Sequence, residues 1–186
     1  MPTKSSGRGL SKNHAFLGGS RSSRLTGRCS GFIENYPQSV IETNLVTGFD
    51  EDRTKYMLYK YEPQKVYLLV QEGEQFNNKQ RNNESAHRLV CEDFGLNKEN
   101  IISKQIDSYS PDFGFEVIES VINEENQSNI ILASFGPKPS AIAAYRCYMK
   151  HSEIALCYLP CKDYNVDYCQ GIGESLSYTL EFPKED

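Results

Sequence analysis

No uncharged stretch of this 186-residue chain approaches the roughly 20 apolar residues that cross a bilayer. No apolar core follows the first residues, as a secretory signal would require. A cytoplasmic protein with reduced thiols and no membrane partner is therefore expected. Acids are missing before Glu34, whereas Lys4, Arg8, Lys12, Arg21, Arg24 and Arg28 all precede it. The net charge of -5 thus hides a basic leader in front of a body more acidic than the whole. Such a body is a poor general surface for nucleic acid. The six cysteines, Cys29, Cys91, Cys147, Cys157, Cys161 and Cys169, include no CxxC pair. Packed core thiols are expected rather than a zinc site, even though four of them fall near His151. Neither the Walker pattern nor the dinucleotide fingerprint occurs, and no cofactor or metal is expected.

What is present divides into a leader and one domain. Residues 1–35 are rich in Ser, Gly and basic side chains and poor in apolar ones, so burial cannot order them. They read as a disordered, dispensable leader. The same Arg- and Ser-rich composition fits an organellar transit peptide, or a start placed upstream of the true domain. Residues 36–186 read as a single α/β domain, large enough for a sizeable core.

Ser39 to Val46 suits a first strand. A loop from Thr47 to Asp50 follows, with Asp50 as the cap of a helix over Glu51 to Tyr61 that Pro63 terminates. Lys65 to Val70 is β-branched and apolar, a buried strand ending at Gln71-Glu72-Gly73. The spacing of Ala86, Leu89, Val90 and Phe94 predicts a helix over Asn78 to Phe94, stopped by Gly95. A weaker strand covers Asn100 to Ser103, and Asp107 to Asp112 reads as a loop. Phe115, Ile118 and Ile122 predict a helix over Phe113 to Asn123. Glu153 to Leu159 suits a further strand, Pro160 to Gly173 a polar, aromatic loop, and Ser175 to Phe182 a closing edge strand. Strands alternating with helices argue for a three-layer Rossmann-like fold whose mostly parallel sheet has five or six strands.

The segment Asn129 to Lys150 organises this reading. An apolar run, Ile130 to Ala133, breaks at Gly136-Pro137-Lys138-Pro139 and resumes as a helix-forming sequence from Ser140. Pro139 suits the first helical position, and Gly136 permits close approach to a ligand. Lys138 then stands at a helix N-terminus whose free amides and dipole favour a phosphate. In parallel sheets ligands bind beyond the carboxyl ends of the strands, near the switch in strand order. That rule gathers Thr47 to Arg53, Gln71 to Gly73 and Phe135 to Ser140 on one rim. The candidate ligand-binding residues are Thr47, Gly48, Arg53, Gln71, Gly136, Lys138 and Ser140: Arg53 and Lys138 for charge, the glycines for close approach, the others for hydrogen bonds. Asn44 could add a neutral hydrogen bond, and Asp50 and Glu72 would suit ribose hydroxyls.

The turn carrying Gly136-x-Lys138 resembles the signature of CRISPR-associated Rossmann-fold (CARF) sensor domains, a threonine-glycine-glycine-threonine-lysine turn between strand and helix. With Thr47-Gly48-Phe49-Asp50 it is also similar to uncharacterised bacterial Rossmann-like proteins. The likeness covers residues 36 to 182 in layout and few residues in motif. It implies binding of a cyclic oligoadenylate across a homodimer, with Lys138 and Gly136 in contact, and a place in bacterial anti-phage defence. The chain departs from the signature in Phe135-Gly136, which replaces a glycine pair, and in Pro137, which replaces the threonine before the lysine. No nuclease or winged-helix effector is legible, so a separate effector protein is expected to read the signal.

The leading expectation is a nucleotide- or cyclic-oligonucleotide-binding sensor or accessory protein with a phosphate-bearing partner. An enzyme acting on a nucleotide or phosphorylated sugar is the alternative, with Asp50, Glu72, Asp107 and His151 as candidate acids and bases. Catalysis is the weaker expectation, because no Ser/His/Asp or Cys/His pairing is evident and His87 falls mid-helix. A third reading is a non-catalytic interaction subunit that uses Tyr158, Tyr164, Tyr168 and Ile172.

Overall fold

The structure is a computed structural model that describes residues 28–30, 41–48, 50–72, 83–124, 129–151, 153–159, 177 and 179. It is an α/β fold with parallel strands. In chain order the elements are β1 (Arg28–Ser30), β2 (Ile41–Val46), α1 (Glu51–Tyr61), β3 (Lys65–Gln71), α2 (Glu84–Phe94), β4 (Ile101–Ile106), α3 (Phe115–Glu124), β5 (Asn129–Ser134), α4 (Lys138–Lys150) and β6 (Ala155–Tyr158). The strand order is β1-β6-β5-β2-β3-β4. Every neighbouring pair is parallel except β1 with β6. β2 has β3 on one side and β5 on the other, so the chain reverses its direction of growth across the sheet between them.

Helices cover both faces, which explains why β3 is buried from Val66 to Gln71 instead of alternating. Val66, Leu68 and Val70 join Ile131 and Ala133 in a core with Met57 and Leu58 of α1 and Cys91 of α2. Tyr67 and Leu69 point the other way, into a core with Ile118, Val121 and Ile122 of α3 and Ala143, Ala144 and Cys147 of α4. Among the described residues, no helix is long and apolar enough to cross a membrane.

Local chemistry sets the helix ends. The Asp50 carboxylate accepts from the Asp52 amide at 3.1 Å and opens α1. Glu62 closes it in a left-handed conformation, with Pro63 beyond. The helix expected from Asn78 starts at Glu84, because Asn83 caps it by accepting from the Ala86 amide; residues 78–82 lie outside the described ones. Gly95 ends it at φ 108° as expected.

The helix expected from Phe113 starts at Phe115. Phe113 and Gly114 both have positive φ, 61° and 81°, which a right-handed helix excludes. At Gly114 a Cβ would also meet the Ile106 side chain at 2.4 Å. β4 runs on to Ile106, past the expected end at Ser103, because it continues to pair with β3 as far as Gln71. α4 begins at Lys138, which puts Pro139 second in the helix.

Within the segment read as a leader, Arg28–Ser30 pairs with β6; the rest of residues 1–40 lies outside the described residues. Pro160 to Gly173 also lies outside them. So does the expected closing strand, except for Ser177 and Thr179, which belong to no strand.

The turn into α3 is held by one carboxylate. Asp112 accepts from the amides of Gly114 and Glu116 at 3.1 and 2.9 Å and from the Ser110 hydroxyl at 2.5 Å. Partial burial acts to raise its pKa, but these hydrogen bonds outweigh it and leave the carboxyl below its ordinary range. Because the native pKa is the lower one, the stabilisation is complete above the ordinary value of 3.8 and is lost as pH falls through the native value. Asp112→Ala should cost about 1 kcal/mol at neutral pH. In urea unfolding measured across pH, the gap to wild type should close as pH falls below the ordinary carboxylate range.

Candidate functional site

The carboxyl ends of β2, β3 and β5 come together as expected. Past the end of β2, the Thr47 amide and hydroxyl both donate to the Leu69 carbonyl at 3.0 Å. Past the end of β5, the Phe135 amide donates to the Val46 carbonyl at 2.9 Å. These bonds carry the ladder one step beyond the strands and bring the two following loops into contact. A Cβ on Gly48 would stand 1.9 Å from the Phe135 carbonyl oxygen. One on Gly136 would stand 3.0 Å from the Thr47 carbonyl oxygen and 3.2 Å from the Gln71 amide nitrogen. The two glycines therefore let backbone pass backbone at the switch in strand order.

Thr47, Gly48, Gln71 and Gly136 thus form one cluster, but several of its polar groups face inward. Thr47 is fully buried and its hydroxyl is occupied by Leu69. Gln71 is buried, and its side-chain oxygen accepts from the Ser108 amide at 3.3 Å. Arg53 lies beside the cluster with its guanidinium 5.8 Å from the centre of the Phe135 ring. Its Nε is 3.2 Å from the Asp50 carboxylate, so the positive charge expected there is largely offset.

The first turn of α4 is arranged differently. Ser140 is buried, and its hydroxyl donates to the Pro137 carbonyl at 2.6 Å. With its one proton so placed, Ser140 accepts from the Ser134 hydroxyl at 2.5 Å. Ser140 therefore braces the turn. Lys138 is exposed and has no ion-pair partner among the described residues.

A residue that sequence reasoning left aside holds this rim from behind. His87 of α2 is 1% exposed. Its Nε2 lies 2.9 Å from the Gly48 carbonyl and its Nδ1 lies 2.9 Å from the Thr54 hydroxyl. A carbonyl can only accept, so Nε2 carries a proton and donates to it, while Nδ1 shares a hydrogen bond with the Thr54 hydroxyl. One imidazole thus ties α2 to α1 and to the loop after β2. The available signal was its helical spacing from Cys91 on the buried face of α2. Ser108 was also missed; its hydroxyl is buried without a hydrogen-bond partner among the described residues.

The residues considered for acid–base work have other roles or positions. Asp50 caps α1, and Asp107 accepts from the Tyr109 amide at 2.8 Å. His151 lies past the far end of α4, 3.3 Å from Glu119 and 3.4 Å from Glu153, and Glu72 is exposed. Burial pushes the Cys91 and Cys147 thiols up to about 12, which keeps them protonated and poorly nucleophilic. Among the described residues, no three His, Cys, Asp or Glu side chains gather as a metal site.

His87→Leu should leave the Gly48 carbonyl and the Thr54 hydroxyl without their partner in a buried setting. The expected cost is about 3 kcal/mol, measured by chemical denaturation. Thr54→Val should cost less, because it leaves the bond to Gly48 in place.

No match was found among curated proteins. The model of the family described as HFX_2341_N:-like, N-terminal, matches residues 45–164, a span that holds the whole rim from Thr47 to Ser140, and the chain belongs to that family.

Proposed function

We propose that this domain binds a phosphate-bearing ligand, a nucleotide or cyclic oligonucleotide, over the N-terminus of α4 and acts as a sensor or accessory protein. The observation that carries this reading is a contrast among the described helices. α1 opens on Asp50 with Glu51 and Asp52 in its first turn, and α2 on Asn83 with Glu84. α3 follows Asp112 and has Glu116 in its first turn. Each of these ends already has an acceptor, an acid or both. α4 has no side-chain cap and no acid in its first turn, and its first residue is the exposed Lys138. Among the described residues the amides of Gly136 and Lys138 bond to nothing. Free amides, the helix dipole and a lysine together favour an anion.

Next to this turn the Gly48 backbone packs directly against the Phe135 peptide. The ligand in this reading lies across Gly136, Pro137 and Lys138 and does not enter a deep cleft. We also infer a three-layer Rossmann-like fold with a mostly parallel sheet of five or six strands; the position of β2 between β3 and β5 supports it, since such folds bind ligands at that switch. The likeness of the turn to the CARF signature supports a cyclic oligonucleotide ligand, a role in bacterial anti-phage defence and a homodimer or separate effector as the readout. Tyr145 and Met149, both exposed and one turn apart on α4, offer a face for that partner on the same helix. The buried thiols of Cys91 and Cys147, neither in a disulfide, suit a cytoplasmic setting.

Titration calorimetry with linear nucleotides and cyclic oligoadenylates tests the proposal. A binding ligand should lose roughly 10- to 100-fold in affinity on Lys138→Ala, the effect of removing a charge-assisted contact, and more on Lys138→Glu. Absence of binding to the wild type across the panel, or equal affinity in Lys138→Glu, would refute it.

A further inference from the structure

Two unfavourable features meet in the loop between β4 and α3. Ser108 is 0% exposed, and its hydroxyl has no hydrogen-bond partner among the described residues. A buried hydroxyl left unpaired loses its hydration and gains nothing in exchange. Further along the same loop, Phe113 is held at φ 61°, a conformation that bulky side chains avoid. Strain and an unpaired polar group together are what a contact made only in a bound state would relieve.

The loop stands on the carboxyl rim, beside the turn into α4. The Ser108 amide donates to the Gln71 side-chain oxygen at 3.3 Å. The nitrogen of that same side chain is 3.2 Å from where a Cβ on Gly136 would stand. One side chain therefore separates Ser108 from Gly136. Other bonds of the loop are internal, with the Ser110 amide and hydroxyl donating to the Asp107 carbonyl and the Phe113 amide to the Ser110 carbonyl. Such bonds move with the loop. The bond from Ser108 to Gln71 is long and ends on a flexible side chain, so the Ser108 end can lift without breaking the turn.

We propose that Ser108 is a ligand-contact residue whose hydroxyl receives the polar edge of a nucleotide base. The proposal rests on the anion reading above: the phosphate lies over the first turn of α4, and the base extends along the rim past Gln71. β3 and β2 stand between β4 and β5, a separation of about 14 Å, which a nucleotide bridges and inorganic phosphate does not. The loop opens at its Ser108 end to admit the base and closes over it, while the phosphate end needs no such movement. A hydroxyl both donates and accepts, so it can pair with an amino group, a carbonyl or a ring nitrogen.

The test compares wild type, Ser108→Ala and Lys138→Ala by thermal shift and calorimetry, with inorganic phosphate and the panel of linear nucleotides and cyclic oligoadenylates as probes. Because the hydroxyl bonds to nothing in the free protein, Ser108→Ala should melt at or slightly above the wild-type temperature without ligand. Its affinity for a nucleotide should fall about 10-fold, with phosphate binding unchanged, whereas Lys138→Ala should weaken both. Nucleotide binding weakened by Lys138→Ala but untouched by Ser108→Ala would overturn the Ser108 contact alone, and is the outcome expected of a hydroxyl that holds only a buried water. A lower melting temperature for unliganded Ser108→Ala, or an equal loss of phosphate binding, would overturn it too. Absence of binding of every probe to the wild type would overturn the anion reading and this inference together.

Discussion

The carboxyl rim of the sheet depends on how closely two backbones pass, with the Gly48 Cα set against the Phe135 peptide so that any side chain there would overlap its carbonyl oxygen and carbon. Peptide atoms of loops cannot give way as the end of a flexible side chain can. The spacing between the loops after β2 and β5 is therefore fixed by the smallest residue available. Strand ends reinforce it, through Thr47 bonded to Leu69 and Phe135 bonded to Val46. His87 adds support from outside the sheet by fixing the Gly48 carbonyl itself. The turn into α4 is thus presented on a rigid base, the condition under which a surface anion site needs little reorganisation on binding.

Electrostatics on this rim follows from which groups already have partners. Arg53, closer to the switch in strand order, is tied to Asp50 and to the Phe135 ring. It contributes packing and orientation more than free charge. At α3, Arg146 stacks on Phe115 at 4.4 Å and donates to the Asp112 carbonyl, again within the fold. Lys138 is different because it projects from the first turn of a helix whose dipole reinforces its own sign. In an acidic protein, that local concentration of positive potential is the feature most at odds with the whole.

Where local chemistry decides, the sequence was a sufficient guide. Asp50 before two acids and Pro63 after the last turn bound α1 to Glu51–Tyr61, and the apolar run of β3 and Gly95 after α2 behave as their residue types dictate. Three features were hidden for physical reasons. The start of α3 turns on Phe113, a bulky residue in a left-handed conformation that only surrounding structure can impose. The part played by His87 arises from Thr54 and Gly48, both remote in sequence, so its helical position revealed burial but not purpose. β1 lies in a basic, Gly- and Ser-rich segment whose composition argues against a strand, and its pairing comes from β6 at the other end of the chain. At the candidate site the location of the rim was legible. The direction its side chains take was not, because Thr47, Gln71 and Ser140 satisfy backbone groups nearby.

The position of β2 also bears on how the chain is made. One neighbour, β3, follows soon after α1, but the other, β5, begins only at Asn129. During vectorial synthesis one flank of β2 stays without its native hydrogen-bonding mate until most of the polypeptide has left the ribosome. Parallel pairing across so long an interval carries a loop-closure cost and slows folding. The nascent protein consequently passes through a stage in which an unpaired strand edge is open to other chains, and chaperone cover during translation would matter most at that stage.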